Sequence, residues 1–380
     1  MEGWQIPLPK CACGNKIGFC FAKEEDYFMP SYGTFILELK EGVNDARLEQ
    51  LGTTIAEKEI VLANKEKLDL EELEALWTEP LEAVFPTKLK EAEKEKPHDI
   101  ISDKKVAIAR KVAVVKPRVF IPAFPGTNSE YDSAKVFEDA GAISKIGVFT
   151  NLTAKNIEES IALFEREIKQ VQIIMIPGGF SAGDEPDGSG KFIATVFRNP
   201  KIKEAVHKHL YEKDGLMLGI CNGFQALVKL GLLPYGEILD MKEDMPTLAF
   251  NKIGRHQARL VHTKVTSKLS PWFSKANLGE IHLVPISHGE GRFVANEKTL
   301  KEMETAGQIA TQYVDLEGNA SYHIDFCPNS STWAIEGITS KDGRILGKMG
   351  HSERINQGIV KNVNGNMNQL LFESGVEYYR

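Results

Sequence analysis

The stretch Leu216–Gln225, which reads Leu-Met-Leu-Gly-Ile-Cys-Asn-Gly-Phe-Gln, decides the fold of this chain. The apolar and small residues before the cysteine predict a buried strand, and Phe224 opens an apolar helical pattern. Cys221 lies between them, as the nucleophile does in the strand-turn-helix elbow of α/β enzymes. An elbow lifts the sulfur above the sheet edge and aims backbone N–H groups and the helix N-terminus at whatever the sulfur attacks. The alternative is a small, buried and inert cysteine.

The composition of the 380-residue chain excludes several classes of function. It is 42% hydrophobic and 26% charged, which is ordinary for a soluble globular protein with more than one domain. A net charge of −7 argues against nucleic acid or an anionic membrane as partner. No apolar run approaches the roughly 20 residues that span a bilayer, and no secretory signal follows Met1. The five cysteines complete no zinc site, so we expect no metal and free thiols in a reducing cytoplasm.

Beyond residue 117, apolar strands alternate with amphipathic helices. The predicted strands are Arg118–Pro122, Lys145–Phe149 and Val171–Ile176, and the predicted helices are Asp132–Ala140 and Asn156–Ile168. This alternation predicts an α/β fold of the flavodoxin-like type, a doubly wound and mostly parallel sheet with helices on both faces. Ligand sites in such sheets lie beyond the carboxyl ends of the strands. The loops Pro125–Asn128 and Pro177–Ser181 and the Cys221 elbow each follow a strand there.

The rest of the chain is predicted to form an antiparallel extension, a linker and a small amino-terminal part. The strands of the extension, within a domain spanning residues 117–380, are Gln257–Val265, Glu280–Ile286, Gln308–Tyr313, Ser321–Phe326, Trp333–Ser340 and Ile345–Met349. Residues 1–62 hold short strands of an α+β lobe, among them Gly33–Leu39. In the linker, residues 63–116, Asp69 caps a helix that Pro80 ends, and Lys88–Lys96 predicts a solvated helix.

A cysteine nucleophile needs a base for its proton, and the base needs an acceptor that orients it. His351 and Glu353 directly follow the last predicted strand, and residues two apart in an extended chain point the same way. Gly178 and Gly179 offer a second backbone N–H donor for a developing oxyanion, because glycine lets the backbone approach a ligand closely. Each feature alone also fits an ordinary loop or turn. Chemistry is favoured because the predicted sheet brings all of them to one edge.

Taken together, the motifs resemble those of the class I (triad) glutamine amidotransferases, and within that class the glutaminase domains of the phosphoribosylformylglycinamidine synthase family. The motifs span much of residues 118–380 and are Phe124–Asn128, Pro177–Asp184, Gly219–Gln225, His288–Arg292, Pro328–Ser331 and Gly350–Arg354. The resemblance implies Cys221 as nucleophile, His351 as acid and base, and Glu353 as its orienting carboxylate. It also implies that the N–H groups of Gly179 and Asn222 form the oxyanion hole and that Gln225 helps to hold the substrate glutamine.

Some positions depart from the family pattern without removing a reacting group. Ser352 stands where the family usually has proline, Ala182 where an aromatic residue is common, and Ser129 where some relatives have cysteine. We interpret His288 and Glu290 as residues that shape the site. Cys327 is expected to be inert.

The amino-terminal segments Cys13–Phe19, Tyr32–Ile36 and Gly52–Glu59 resemble the end of the synthetase lobe in single-chain members of the family. The chain is therefore expected to be the carboxyl-terminal fragment of a longer synthase. The resemblance implies that it hydrolyses glutamine through a Cys221 thioester and passes ammonia to a synthetase lobe, in the same chain or a separate one. That lobe would amidate phosphoribosylformylglycinamide in purine biosynthesis.

No cofactor is expected in this chain, whereas ATP and Mg²⁺ are expected in the missing synthetase lobe. Two alternatives remain open. One is a flavodoxin-like thiol protein without glutaminase activity, and the other is a non-catalytic piece that only docks to a synthetase subunit.

Overall fold

The chain divides into two compact units, Met1–Thr87 and Lys88–Arg380. The computed structural model describes residues 7–23, 33, 35–40, 42–43, 45–89, 96–105, 113–181, 190–355, 360–361 and 363–380. The boundaries predicted at residues 62 and 116 stay predictions.

The smaller unit combines short strands with helices around a small apolar core. In chain order its elements are α1 (Pro7–Asn15), β1 (Gly18–Phe21), β2 (Gly52–Ile55), β3 (Glu59–Val61), β4 (Lys67–Asp69) and α2 (Leu70–Glu82). The strands form one sheet in the order β2-β1-β3-β4. Cys13, Ile60 and Leu70 are buried in its core. The predicted cap is confirmed, because the Asp69 carboxylate accepts the backbone N–H groups of Glu71 and Glu72 at 2.9 and 3.0 Å.

Two predictions for the smaller unit are wrong. The described residues of Gly33–Leu39 form no strand. Phe35 is 85% exposed, so the segment lacks the buried face that strand alternation serves. Helix α2 continues past Pro80 to Glu82, although proline lacks the N–H group that would donate to the carbonyl four residues before it.

The first residues of the larger unit also depart from their prediction where they are described. Lys88, Leu89 and Lys96 are not helical, and residues 90–95 of the predicted helix lie outside the described residues. Pro97 disfavours helical backbone at the residue before it. Further on, this segment is joined to the sheet of its own unit, where the Ile100 N–H donates to the Gln312 side chain at 2.9 Å.

The larger unit contains the predicted strand-helix alternation. Its elements begin with β5 (Arg118–Ala123), α3 (Glu130–Asp139), β6 (Ile143–Val148), α4 (Ala154–Ile168), β7 (Ile173–Ile176), α5 (Lys191–Phe197), α6 (Pro200–Tyr211), β8 (Leu216–Ile220), α7 (Asn222–Leu230) and α8 (Leu232–Tyr235). They continue with β9 (Thr247–Phe250), β10 (Gln257–Val265), β11 (Ile281–His288), β12 (Glu290–Val294), α9 (Glu297–Ala306), β13 (Ile309–Val314), β14 (Ile335–Thr339), β15 (Ile345–Lys348) and α10 (Leu371–Glu377).

One nine-stranded sheet runs through this unit in the order β11-β10-β13-β14-β15-β8-β7-β5-β6. All pairs from β15 to β6 are parallel. When the five parallel strands are numbered by their order in the chain, their order across the sheet is 2-1-3-4-5, which is the flavodoxin-like pattern. The pairs from β11 to β15 are antiparallel, so the predicted extension continues the same sheet. The structure confirms the predicted fold class.

Helices cover both faces of the parallel part of the sheet. Right-handed crossovers from β5 to β6 and back to β7 place α3 and α4 on opposite faces. Helix α10 packs beside α3, where the Phe137 and Phe372 rings are 5.0 Å apart, and α6 packs beside α4. Strands β7 and β8 are buried along their whole length. Within the described residues, no helix combines the length and the apolar character needed to cross a membrane.

The predicted strand Ser321–Phe326 is wrong, because local turns occupy it instead. The Ser321 hydroxyl accepts the His323 N–H at 3.1 Å, and the His323 carbonyl accepts from Phe326 and Cys327. Such side-chain and turn bonds compete with strand pairing. The two-stranded ribbon formed by β9 and β12 was not predicted from the sequence.

Candidate active site

Cys221 lies between the end of β8 and the start of α7, as the elbow prediction requires. Its backbone has φ +52° and ψ −106°, a strained conformation of the kind that concentrates at functional sites. The Cys221 N–H donates to the Lys348 carbonyl on the neighbouring strand β15 at 2.9 Å. The sulfur is 3.8 Å from the Ser287 carbonyl of β11. Cys221 therefore follows β8 in the chain and bonds β15 through its backbone and β11 through its sulfur.

His351 and Glu353 lie in the turn after β15 and contact each other. Nδ1 of His351 is 2.6 Å from Oε1 of Glu353, and both side chains are buried. The His351 ring also lies beside Cys221, close enough for the sulfur to raise the pKa of the imidazole. Because Nδ1 faces the carboxylate, Nε2 is the ring nitrogen available to the sulfur. The backbone N–H of His351 donates to the Pro285 carbonyl of β11 at 2.8 Å, and this bond anchors the turn.

The charges of His351 and Glu353 support one another. Burial lowers the pKa of His351, but the Glu353 carboxylate and the Cys221 sulfur outweigh burial and raise it to about 10. Burial raises the pKa of Glu353, yet the charge and hydrogen bond of His351 bring it below its ordinary value. An imidazolium between sulfur and carboxylate is thus the stable arrangement at neutral pH.

The Gly178-Gly179 turn lies against both reacting side chains. A Cβ on Gly178 would be 2.6 Å from Cε1 of His351 and 3.4 Å from Cβ of Cys221, so only glycine fits there without displacing them. Gly179 has φ +143°, a conformation open to glycine alone. It pairs with Thr127 in an isolated β-bridge, which joins the two loops that follow β7 and β5. The structure thus brings this turn and Cys221 to the same sheet edge.

Asn222 and Gln225 form a buried link on the first turn of α7. The Asn222 amide donates to the Gln225 side chain at 2.9 Å and accepts the Ser181 N–H at 3.3 Å. The Gln225 side chain in turn donates to the Glu290 carbonyl on β12. Gln225 therefore joins the elbow helix to the ribbon that carries the His288–Arg292 motif. Its role toward glutamine stays a prediction.

His288 is buried on β11 close to His351. Its Nδ1 lies 3.2 Å from the Asn251 side chain. Burial, followed by the nearby charges of His351 and His256, lowers its pKa to about 3. His288 is therefore neutral at physiological pH. Its role in shaping the site stays a prediction. Cys327 is buried in a turn with its sulfur 3.6 Å from the Asn329 side chain.

Sequence reasoning missed three charged residues that support Cys221, His351 and Glu353. Arg354 donates to the Ser129 hydroxyl at 2.9 Å and so ties the His351 turn to the loop after β5. Lys348 and Glu336 form a fully buried ion pair, 3.1 Å apart, beneath the same turn. Their signal in the sequence is a lone charge inside an apolar strand, Ile335-Glu-Gly-Ile338 and Ile345-Leu-Gly-Lys348.

A flavodoxin-like sheet that brings cysteine, imidazole and carboxylate together beyond its strand ends is the arrangement that defines a triad-type amidotransferase. Comparison with protein families agrees: the model described as a CobB/CobQ-like glutamine amidotransferase domain matches residues 116–379, and the chain belongs to that family.

Individual relatives point to one branch of it. The chain is 36% identical over 241 residues to phosphoribosylformylglycinamidine synthase subunit PurQ of Methanococcus maripaludis, covering 63% of this chain and 83% of the relative. It is 37% identical over 252 residues to the subunit of the same name from Treponema denticola, covering 63% and 88%. The solved structure of PurLQS from Thermotoga maritima contains a chain that matches with a TM-score of 0.51 and 25% identity, covering 70% of this chain and 100% of that one.

Proposed function

We propose that this chain is the glutaminase component of a phosphoribosylformylglycinamidine synthase, which acts in purine biosynthesis. The relatives that carry this name support the proposal. The observation that carries the chemistry is the position of the His351 ring, which lies beside Cys221 on one side and hydrogen-bonds the Glu353 carboxylate on the other.

In the first half-reaction His351 takes the proton of the Cys221 thiol, and the sulfur attacks the side-chain amide carbon of glutamine. A carbon–sulfur bond forms, and the carbonyl electron pair moves onto oxygen. The N–H groups of Gly179 and Asn222 receive this oxyanion, and each such donor lowers the barrier by about 2.7–4 kcal/mol. His351 then gives its proton to the nitrogen, the carbon–nitrogen bond breaks, and ammonia leaves.

In the second half-reaction the now neutral His351 removes a proton from water as the water oxygen adds to the thioester carbon. The tetrahedral intermediate collapses, the carbon–sulfur bond breaks, and glutamate leaves. The electron pair returns to the Cys221 sulfur beside a protonated His351. Glu353 stabilises that imidazolium and holds the ring in the tautomer that the reaction needs.

The ammonia would pass to a synthetase partner, in the same chain or a separate one. The match to a chain of the Thermotoga maritima PurLQS structure supports an assembly of this kind. In the proposal, ATP and Mg²⁺ bind to the synthetase and no cofactor binds to this chain. Across the described residues, no group of three or more His, Cys, Asp and Glu side chains is placed to hold a metal ion.

Replacing Cys221 by alanine tests the proposal. We expect the wild-type chain to release glutamate from glutamine, faster when a synthetase partner is added, and Cys221→Ala to release none while melting at the wild-type temperature. Cys327→Ala, which alters another buried cysteine, is the matched control and should keep full activity.

Mass spectrometry separates the alternatives. A glutamyl adduct on the Cys221 peptide after rapid acid quench supports the thioester. A folded wild-type chain with neither adduct nor turnover, with or without a synthetase subunit, would reject the glutaminase and favour a thiol protein of another kind. Turnover that persists in Cys221→Ala would reject the nucleophile.

A further inference from the structure

A buried ion pair lies directly beneath the turn that carries His351 and Glu353. Lys348, the last residue of β15, and Glu336 on β14 are both fully buried, and Nζ of Lys348 is 3.1 Å from Oε1 of Glu336. An ion pair in such a place is weak support for stability, because the desolvation of both charges offsets most of their attraction. Its position suggests another use.

The Lys348 ammonium holds the turn on both sides of His351. Nζ donates to the Gly350 carbonyl at 3.0 Å and to the Ser352 hydroxyl at 2.9 Å. The backbone carbonyl of the same lysine accepts the N–H of Cys221 at 2.9 Å. One residue therefore bonds the backbone of the nucleophile and both neighbours of the base.

Glu336 completes the support from the other side. Its Oε1 accepts the Gly350 N–H at 2.7 Å, and its Oε2 accepts the Thr311 hydroxyl of β13. A Cβ on Gly350 would lie 3.0 Å from Oε1 of Glu336 and 3.0 Å from Nζ of Lys348. The pair thus fills the space under the turn, and a side chain at residue 350 would displace it.

The support extends through Ser352 to the antiparallel part of the sheet. The Ser352 hydroxyl donates to the Gln369 side chain, and Gln369 donates to the Thr263 hydroxyl of β10 at 3.2 Å. Ser352 and Gln369 are each 1% exposed, so water does not compete for these bonds. Hydrogen bonds from an ammonium are stronger and shorter than neutral ones, and they hold a turn more rigidly.

We propose that Lys348, neutralised by Glu336, is a positioning residue that sets the distance between the His351 ring and the Cys221 sulfur. This inference rests on the proposed glutaminase reaction. Reacting groups must be held to within about 0.5 Å of their productive geometry. Losing the pair should therefore slow the chemical step and leave glutamine binding unchanged.

Replacing both Lys348 and Glu336 distinguishes an effect on the position of His351 from an effect on folding. Replacing one partner would leave a buried uncompensated charge, whereas replacing both by apolar residues of similar size is often neutral for stability. We expect Lys348→Met with Glu336→Met to fold, to keep the KM for glutamine, and to lose about 10- to 100-fold in kcat, the effect of a shift of up to about 1 Å.

The matched control is the Arg344–Asp214 ion pair at the opposite end of the same strand, β15. Arg344→Met with Asp214→Asn removes a comparable pair far from the sulfur. This control should change the melting temperature and leave kcat at the wild-type value. Equal kcat losses in the two double variants would overturn the positioning role.

The rate at which iodoacetamide alkylates Cys221 reports on the position of the His351 ring and does not require glutamine turnover. The thiolate is the reactive form of a cysteine, so the labelling rate depends on the groups placed around the sulfur. We expect slower labelling of the Cys221 peptide in the Lys348 and Glu336 double variant and the wild-type rate in the control. If the wild-type chain is labelled rapidly but does not hydrolyse glutamine, the proposed glutaminase function is wrong. The labelling rates of the double variant and its control still test whether Lys348 positions His351.

Ser352→Ala covers the case in which the double variant does not fold. It removes one link and keeps both charges, and we expect kcat to fall with KM unchanged. A folded Ser352→Ala variant with wild-type kcat and wild-type labelling rate would overturn the proposal. So would a folded double variant with wild-type values of both.

Discussion

Gly178→Ala should separate the base from the nucleophile by adding a single methyl group. Its Cβ would lie 2.6 Å from Cε1 of His351, 3.2 Å from the Ser129 hydroxyl and 3.4 Å from Cβ of Cys221. Gly178 is not among the glycines with positive φ, so alanine can adopt its backbone conformation. The added contact is therefore the whole perturbation.

The size of the effect follows from these distances. Carbon atoms in contact lie about 3.5–4.0 Å apart, so the imidazole has to retreat by about 1 Å from its present place. A misplacement of that size can cost about 10²-fold in rate. Overpacking of this kind destabilises a protein by about 1–3 kcal/mol. We expect kcat for glutamine hydrolysis to fall about 100-fold while most of the protein stays folded.

The assay is steady-state glutamate release, with thermal unfolding recorded on the same samples. Gly14→Ala is the matched control, because a Cβ there meets nothing within 4 Å, and it should leave kcat unchanged. A folded Gly178→Ala variant with the wild-type kcat would refute the reasoning. It would mean that His351 does not act from the position it occupies in the structure.

The remaining predictions concern charge and capping. Glu353→Gln keeps the size of the side chain but removes the charge that favours the imidazolium, and kcat should fall about 10²- to 10⁴-fold; a wild-type rate would exclude Glu353 as the orienting group. Burial lowers the pKa of His351, but Glu353 and Cys221 raise it overall from 6.5 to about 10. The charged ring therefore stabilises the folded protein fully below pH 6.5, and that stability is lost as the pH rises through about 10. The difference in unfolding free energy between wild type and His351→Gln should shrink across that interval, and a constant difference would contradict the shift. Asp69→Ala should cost about 1 kcal/mol of helix stability, seen as faster amide exchange at Glu71 and Glu72; unchanged exchange would show that the cap bonds do not stabilise α2.

The features predicted correctly from the sequence are those fixed by local pattern. The apolar run into Cys221 predicts β8, because a strand buried on both faces admits no polar residue. The Asn222-Gly223 turn and the apolar pattern after it predict α7. The parallel alternation then places the ends of β5, β7 and β8 at one edge. His351 could be paired with Cys221 only through that inference about the sheet.

The features missed from the sequence depend on contacts between distant segments. Lys348 and Glu336 lie 12 positions apart on neighbouring strands, and each read alone resembles a solvated charge. Ser321–Phe326 has the composition of a strand, but its hydroxyl and ring side chains bond their own backbone. The strand order also depends on which helices cross the sheet, and periodicity carries no information about that.

The register between β8 and β15 explains why residues so far apart in sequence can react together. Gly347 lies opposite Gly219 and Lys348 opposite Ile220, so both strands end at the same level. Cys221 is the next residue on one strand, and the turn with His351 follows directly on the other. A slip of one residue would move the turn by about 3.3 Å, several times the displacement that Gly178→Ala imposes. The backbone bond from Cys221 to Lys348 depends on this register, and the ion pair beneath the turn depends on the register of β14 with β15. The strand pairing that builds the core therefore also sets the distance between base and sulfur.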